Sequence, residues 1–391
     1  MRRWFRKFWP VLKAVLILAI LVAVGRIFAR DLEIPQKGLQ RSLEEFWARL
    51  VHPGWLVVSG AFYLLGLGFS AFYWYRLLRD LDQRPGWLAA MRAYYVGHVG
   101  KYLPGKAWAV FLRAGLIQGP EVRIGRAILT TFYEVLTTMA GGALLALVLL
   151  ATQWPSTSAG MDWTTLGRLV SGHNPEDMVI DRKVMVALAV LLLLPIGIPI
   201  LPPIYNRIVR RMAVPIRERY SITGPMAQIR FFSMLEGLVL TACGWVFLGA
   251  SLWAVLCAIM PEPPALTPDS LAHYSALLAL AYVAGFIIFV VPSGLGIREF
   301  FLTLFLLPDM NRIFAGDNAK ATAAAASAVL LLRLVWTAAE VVIVPSLYWM
   351  PARLYQGTGG AAGAATGEAV AAGTAGQGQE CEHDLRHHPG L

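Results

Sequence analysis

Charge is scarce in this sequence. Only 15% of its 391 residues are Asp, Glu, Lys or Arg, whereas 57% are hydrophobic. A soluble domain carries about 25% charged residues, and no soluble fold hides this much apolar side chain. An ordinary cytosolic enzyme is thereby excluded. Cysteine is scarcer still, at three residues. Cys243 and Cys257 share one apolar run and Cys381 lies near the end, which excludes a disulfide framework and makes the first two small core residues. Catalytic signatures are missing too. There is no HExxH, Walker A or paired CxxC, and no nucleophile, histidine and acid form a set. A signal-peptide cleavage site is also lacking. The first apolar stretch, Val11 to Ala29, is longer than a signal core and contains Gly25-Arg26 but no clear A-x-A site. It reads as an uncleaved anchor with its N-terminus in the cytoplasm.

What the chain has instead is long apolar runs. A helix crosses a bilayer with roughly 20 residues, and seven runs qualify, near 9–29, 55–75, 127–151, 184–204, 231–259, 273–291 and 321–349. Helices are expected because lipid offers backbone amides no partner. The net charge of +10 belongs to loops rather than to nucleic-acid binding. Arg2, Arg3, Arg6 and Lys7, the basic residues between Arg76 and Arg126, and those between Arg207 and Arg230 mark cytoplasmic segments. Segments 152–182 and 261–272 are poor in Lys and Arg and should face outward. Segment 30–54 reads as an external interfacial helix.

Two stretches are too interrupted to be simple spans. Trp87 to Ile117 is cut by Gly97, Gly100, Lys101, Pro104, Gly105 and Lys106. Val291 to Leu307 opens with Pro292, Gly294 and Gly296 and then holds only about a dozen apolar residues. Such backbone survives at membrane depth only when buried in protein or lining a cavity. In the first stretch, Lys101, Lys106 and Arg113 should cluster at the headgroup level, either as a phosphate site or as snorkelling surface residues. In the second, a Gly-rich turn opens a helix with Arg298 in its first turns, a cradle for phosphate or carboxylate or else a plain hairpin. Arg298 and Glu299 are adjacent, so each is expected to need its own partner.

The spans add polar stripes. Thr130, Glu134, Thr137, Thr138 and Gly141 share one helix face, and Ser327, Arg333, Thr337 and Glu340 another. An ion at a helix centre costs about 2.5–3.5 kcal/mol, so Arg333 should face the bundle interior, with Glu134 or Glu340 as partner. Those three residues would form a polar pathway or an interhelical brace. Ser233, Gly237, Thr241 and Gly244 read as a packing stripe. His98 and His273 read as interfacial residues. Cys381, His383, His387 and His388 follow a low-complexity run without a scaffold, and no metal site is expected.

Lys101, Tyr102, Pro104, Gly105 and Arg113, followed by Pro292, Gly294, Gly296, Arg298 and Glu299, resemble a known pattern. They are similar to the Lys-Tyr-x-Pro-Gly segment with a downstream Arg, and the later Pro-x-Gly-x-Gly-x-Arg-Glu segment, of the flippase-like membrane domain of lysylphosphatidylglycerol synthases. The resemblance covers about residues 10–350. Ser293 stands where relatives often have Gly. In that family the membrane domain moves aminoacylated phosphatidylglycerol between leaflets when fused to a transferase, or accompanies polyprenyl-lipid sugar chemistry when fused to a glycosyltransferase. Neither partner domain is visible here, so lysyl transfer is not carried over.

The expectation is an all-α polytopic membrane protein of about 7–8 crossings, with broken or re-entrant segments near 87–118 and 292–308. A cytoplasmic N-terminus (1–8) precedes the membrane domain (9–350), and a disordered Gly/Ala-rich tail (351–391) follows it. An inner-membrane location, no cofactor and no enzymatic activity are expected. The expected activity is movement of an anionic-headgroup lipid, a phospholipid or polyprenyl phosphate, between leaflets. The ten residues of the two segments would bind the headgroup. The alternatives are a membrane-embedded enzyme on a lipid phosphate, or a partner that docks a separate lipid-modifying transferase. A homo-oligomer is compatible with either.

Overall fold

The computed structural model describes residues 52–102, 108–153, 161–162, 179–180, 182–219, 228–260, 262–287, 296–314 and 318–351. The expected anchor at 9–29, most of the interfacial segment 30–54 and the tail lie outside the described residues. So do Pro104, Gly105, Lys106, Pro292, Ser293 and Gly294.

Among the described residues, ten α-helices follow in order: α1 (Gly54–Asp80), α2 (Trp87–His98), α3 (Trp108–Ile117), α4 (Ile124–Gln153), α5 (Arg182–Ile200), α6 (Pro202–Arg219), α7 (Phe231–Ile259), α8 (Pro268–Ile287), α9 (Ile297–Ile313) and α10 (Asn318–Tyr348). A 3-10 turn, Val99–Tyr102, extends α2. Two antiparallel strands of two residues, Met161–Asp162 and Val179–Ile180, lie between α4 and α5. Among the described residues, five helices, α1, α4, α7, α8 and α10, are long and apolar enough to cross a membrane. Their outward faces fit that solvent, with Val57, Leu65, Phe232, Val239, Val341 and Val342 all exposed. The described residues are almost all helical, and the long apolar helices make the chain a multi-pass membrane protein.

The expected straight span at 184–204 is corrected. It is a bent pair, α5 and α6, turned by 61°. Pro202 has no N–H and cannot continue the helix, and α5 already contains Pro195 and Pro199. Two tyrosine hydroxyls tie the bend to α4, one of them by satisfying a carbonyl at the break. Tyr133 Oη donates to the Ile200 carbonyl at 2.9 Å, and Tyr205 Oη to that of Leu129 at 2.8 Å. The crossing count is therefore five, or six with the bent pair, among the described residues.

Small residues set the helix spacing. A Cβ on Gly66 of α1 would stand 2.9 Å from the Gly244 carbonyl oxygen of α7, and one on Gly244 would stand 2.9 Å from that of Gly66. Without a hydrophobic drive between helices in lipid, such close backbone approach is what holds a pair together. Ser233, Gly237, Thr241 and Gly244 lie along the inner side of α7. Gly237 leaves the space that the Tyr73 ring fills, and Ser233 and Thr241 are buried. Ser251 fastens three helices. Ser59 Oγ donates to its carbonyl at 2.9 Å, and Trp336 Nε1 donates to its hydroxyl at 2.8 Å.

The first broken stretch takes the form of two short elements packed together, and the described part of the second is one short helix. α2 and its 3-10 turn pack on α3, and two glycines allow the approach. A Cβ on Gly100 would lie 2.8 Å from the Trp108 carbonyl carbon, and one on Gly97 would lie 3.0 Å from the Arg113 backbone nitrogen. α9 starts at Gly296, whose φ of +86° is left-handed and suits glycine. Glu299 accepts the Gly296 N–H at 2.9 Å and so closes the helix start.

Candidate functional site

A half-enclosed cavity of about 270 Å³ lies inside the bundle. α1, α4, α7, α8 and α10 supply its walls, and the two broken stretches supply most of its charge. Lys101, Arg113, Arg298 and Arg333 line it, with Tyr63, Tyr94, Tyr282, Trp245 and Trp336 as aromatic wall and Leu67, Met139 and Leu248 as apolar wall. Three carboxylates organise the cations.

The first is Glu340 of α10. It accepts from Lys101 Nζ and from Tyr63 Oη, and its second oxygen accepts from Tyr102 Oη at 2.8 Å. Thr337 Oγ1 lies 3.4 Å from the same Tyr102 hydroxyl. The second is Glu134 of α4, only 2% exposed. Arg113 Nη1 donates to it at 2.7 Å, Tyr94 Oη at 2.9 Å and Thr138 Oγ1 at 3.1 Å. The third is Glu299 of α9. A single oxygen accepts from Arg298 Nη2 at 2.7 Å and from Arg333 Nη1 at 2.6 Å.

Aromatic faces brace the guanidinium groups. The Arg113 head lies 3.8 Å from the centre of the Tyr94 ring, and that of Arg298 lies 4.1 Å from Tyr282. These contacts gain strength where water is excluded. Arg113 is 3% exposed, and its Nε–H has no hydrogen-bond partner among the described residues. A buried charged donor with a vacant N–H costs free energy unless something accepts from it.

Several expectations are corrected here. Arg113 is not a snorkelling surface residue: it is buried in the bundle and paired with Glu134. Arg298 and Glu299 do pair, although adjacent. The helix start turns the Glu299 carboxylate back toward Gly296, and the long Arg298 side chain reaches it there. Arg333 faces inward as expected, but its partner is Glu299 and neither Glu134 nor Glu340. His98 faces inward. It lines the cavity, with Nδ1 3.2 Å from Arg113 Nη2 and Nε2 3.9 Å from Glu340. His273 finds Asp309 of α9 at 2.8 Å.

Of the ten headgroup residues expected from the two segments, Lys101, Tyr102, Arg113, Gly296, Arg298 and Glu299 fall at or beside this one cavity. Pro104, Gly105, Pro292 and Gly294 lie outside the described residues. Glu134 and Glu340 hold cavity cations, and Arg333 lines the cavity itself. Sequence reasoning missed Tyr63, Tyr94, Tyr282 and Trp336. It also missed Gly285, whose absent side chain lets α9 approach α8, since a Cβ there would stand 3.1 Å from Arg298 Cβ. His98 had a signal: it precedes Lys101 by three residues and shares its helix face.

No family model matches this chain, and no curated protein matches it.

Proposed function

We propose that the protein binds a membrane lipid by its anionic headgroup in this cavity and moves it between leaflets. The observation that carries the reading is convergence. Two broken stretches, far apart in the chain, bring Lys101, Arg113 and Arg298 to one cavity inside a bundle whose outer faces are apolar. The similarity of those stretches to the flippase-like membrane domain of lysylphosphatidylglycerol synthases supports it.

The chemistry is exchange of partners. Within the cavity each cation rests on a carboxylate, which limits the cost of holding charge out of water. A phosphate entering among Lys101, Arg113 and Arg298 accepts from donors already aimed at the cavity. Tyr63 and Tyr102 keep Glu340 hydrogen-bonded when Lys101 turns to the ligand. Acyl chains stay in the bilayer while the headgroup crosses. No bond is made or broken and no cofactor takes part. The location that fits is a cytoplasmic membrane with the N-terminus inside.

The test is leaflet exchange in proteoliposomes carrying fluorescent phosphatidylglycerol, phosphatidylethanolamine or a short polyprenyl phosphate, read with an outside-only quencher. Exchange above protein-free vesicles, lost in Arg298→Ala, is the expected result. Equal rates for every lipid, with and without a proton gradient, contradict the reading.

One observation favours a second reading. Arg207, Arg210 and Arg211 project exposed from α6 and suit docking of a separate lipid-modifying transferase. Charge reversal at these three positions would then cost more function than Arg298→Ala, and the transport reading requires the opposite order.

A further inference from the structure

The cavity has a charge balance that bears on which headgroup it takes, an inference that rests on the lipid-transport reading. Among the described residues, the cavity cations are Lys101, Arg113, Arg298 and Arg333, and the carboxylates paired with them are Glu134, Glu299 and Glu340. Lys101 and Arg113 each have a carboxylate of their own. Arg298 and Arg333 share one oxygen of Glu299. That sharing leaves one positive charge uncompensated.

The neighbouring titratable groups do not alter the balance. A guanidinium only donates hydrogen bonds, so His98 Nδ1 must accept from Arg113 Nη2, and the ring is then neutral. Tyr63, Tyr94 and Tyr102 each donate a hydroxyl proton to a carboxylate and are neutral too.

We infer that the site selects a headgroup bearing one negative charge, a phosphodiester, over a phosphomonoester. A phosphodiester monoanion brings the cavity to neutrality and offers an acceptor for the vacant Arg113 Nε–H. A phosphomonoester carries about −1.5 to −2 at neutral pH, and its excess would sit uncompensated beside Leu67, Met139 and Leu248, where unpaired charge is costly. An uncharged headgroup leaves the excess cation unmatched. Of the two lipid classes expected from the sequence, the charge balance favours the phospholipid diester over the polyprenyl monophosphate.

The test compares phosphatidylmethanol with phosphatidate of identical acyl chains, which differ by one methyl ester and its charge. Full-length protein in phosphatidylcholine nanodiscs is titrated with each at about pH 7.5. The expected result is tighter binding of phosphatidylmethanol by about tenfold or more. At about pH 5 phosphatidate becomes a monoanion, because its second ionisation lies near pH 6, and the preference should vanish in the unaltered protein. In Glu299→Gln, which leaves Arg298 and Arg333 charged, the site gains a second net positive charge, and the ratio measured near pH 7.5 should fall toward one or invert. Phosphatidate binding as tightly as phosphatidylmethanol near pH 7.5 overturns the selectivity and leaves lipid binding intact. A preference that persists at low pH overturns it as well. Neither lipid binding above the phosphatidylcholine background overturns the transport reading, and the selectivity with it.

Discussion

At the residue scale the decisive feature is that every cavity cation contacts a carboxylate, with Arg298 and Arg333 sharing Glu299. Arg113 and Glu134 are the most enclosed pair, with side chains 4% and 2% exposed. Removing one member strands the other, which costs about 3–5 kcal/mol, whereas replacing both by neutral shapes is close to neutral for stability. Arg113→Ala is therefore expected to lower the thermal midpoint in detergent markedly. The double variant Arg113→Gln with Glu134→Gln should recover most of that midpoint and still fail to exchange lipid. Recovery of exchange along with stability would reduce the pair to a brace. The sequence exposed these charges but not their pairing. Arg333 had to face inward because an ion in a span cannot face lipid, and that much followed from its position. Its choice of Glu299 depends on α9 being laid against α10, and nothing local encodes that. The Arg298–Glu299 contact eluded the sequence for the opposite reason. The helical spacing rule for side-chain pairs holds inside a helix, and Glu299 sits in a first turn whose N-cap draws it backward.

At the element scale the site depends on short helices brought unusually close. Gly97 and Gly100 seat α2 and its 3-10 turn on α3, and Gly285 seats α9 on α8. The contact at Gly97 is with Arg113 backbone as well as side chain, so an added methyl cannot be absorbed by a rotamer. Gly97→Ala is expected to destabilise by about 1–3 kcal/mol, the usual cost of overpacking, and to displace Arg113. Gly115→Ala on the same pair of elements is the control. Nothing described stands within 4 Å of a Cβ there, and alanine is favoured over glycine inside a helix by up to about 1 kcal/mol. Unfolding in urea or by heat should rank Gly115→Ala at or above the parent and Gly97→Ala clearly below it. Breaks in both stretches were legible, because Gly and Pro in an apolar run are strong punctuation. Their depth was less so. The same residues fit a surface hairpin, and only the contacts of α3 with α4 and of α9 with α10 bring the cationic ends inside. The bend between α5 and α6 was not read from the sequence: Pro202 and Pro203 mark it, but the continuous hydropathy around them reads as one span.

At the scale of the whole molecule the chain is a bundle with lipid-compatible walls and one polar interior. The long apolar runs were plain in the sequence, since five of them return as single helices and one as the bent pair. The cavity was not, because its aromatic wall uses Tyr63, Tyr282 and Trp336 from three different helices, and such residues are commonplace in spans. Lipid movement through a shared interior makes a prediction that no single residue does. The headgroup must touch both broken stretches in one molecule. The most direct measurement is photo-crosslinking with a phosphodiester lipid carrying a diazirine in its headgroup, followed by peptide mapping of the full-length protein in nanodiscs. Adducts are expected on the peptide containing Lys101 and Tyr102 and on that containing Arg298, both reduced by excess unlabelled lipid. Adducts confined to outward-facing positions such as Phe232, Val239 or Val342, and insensitive to competitor, would contradict a headgroup site inside the bundle.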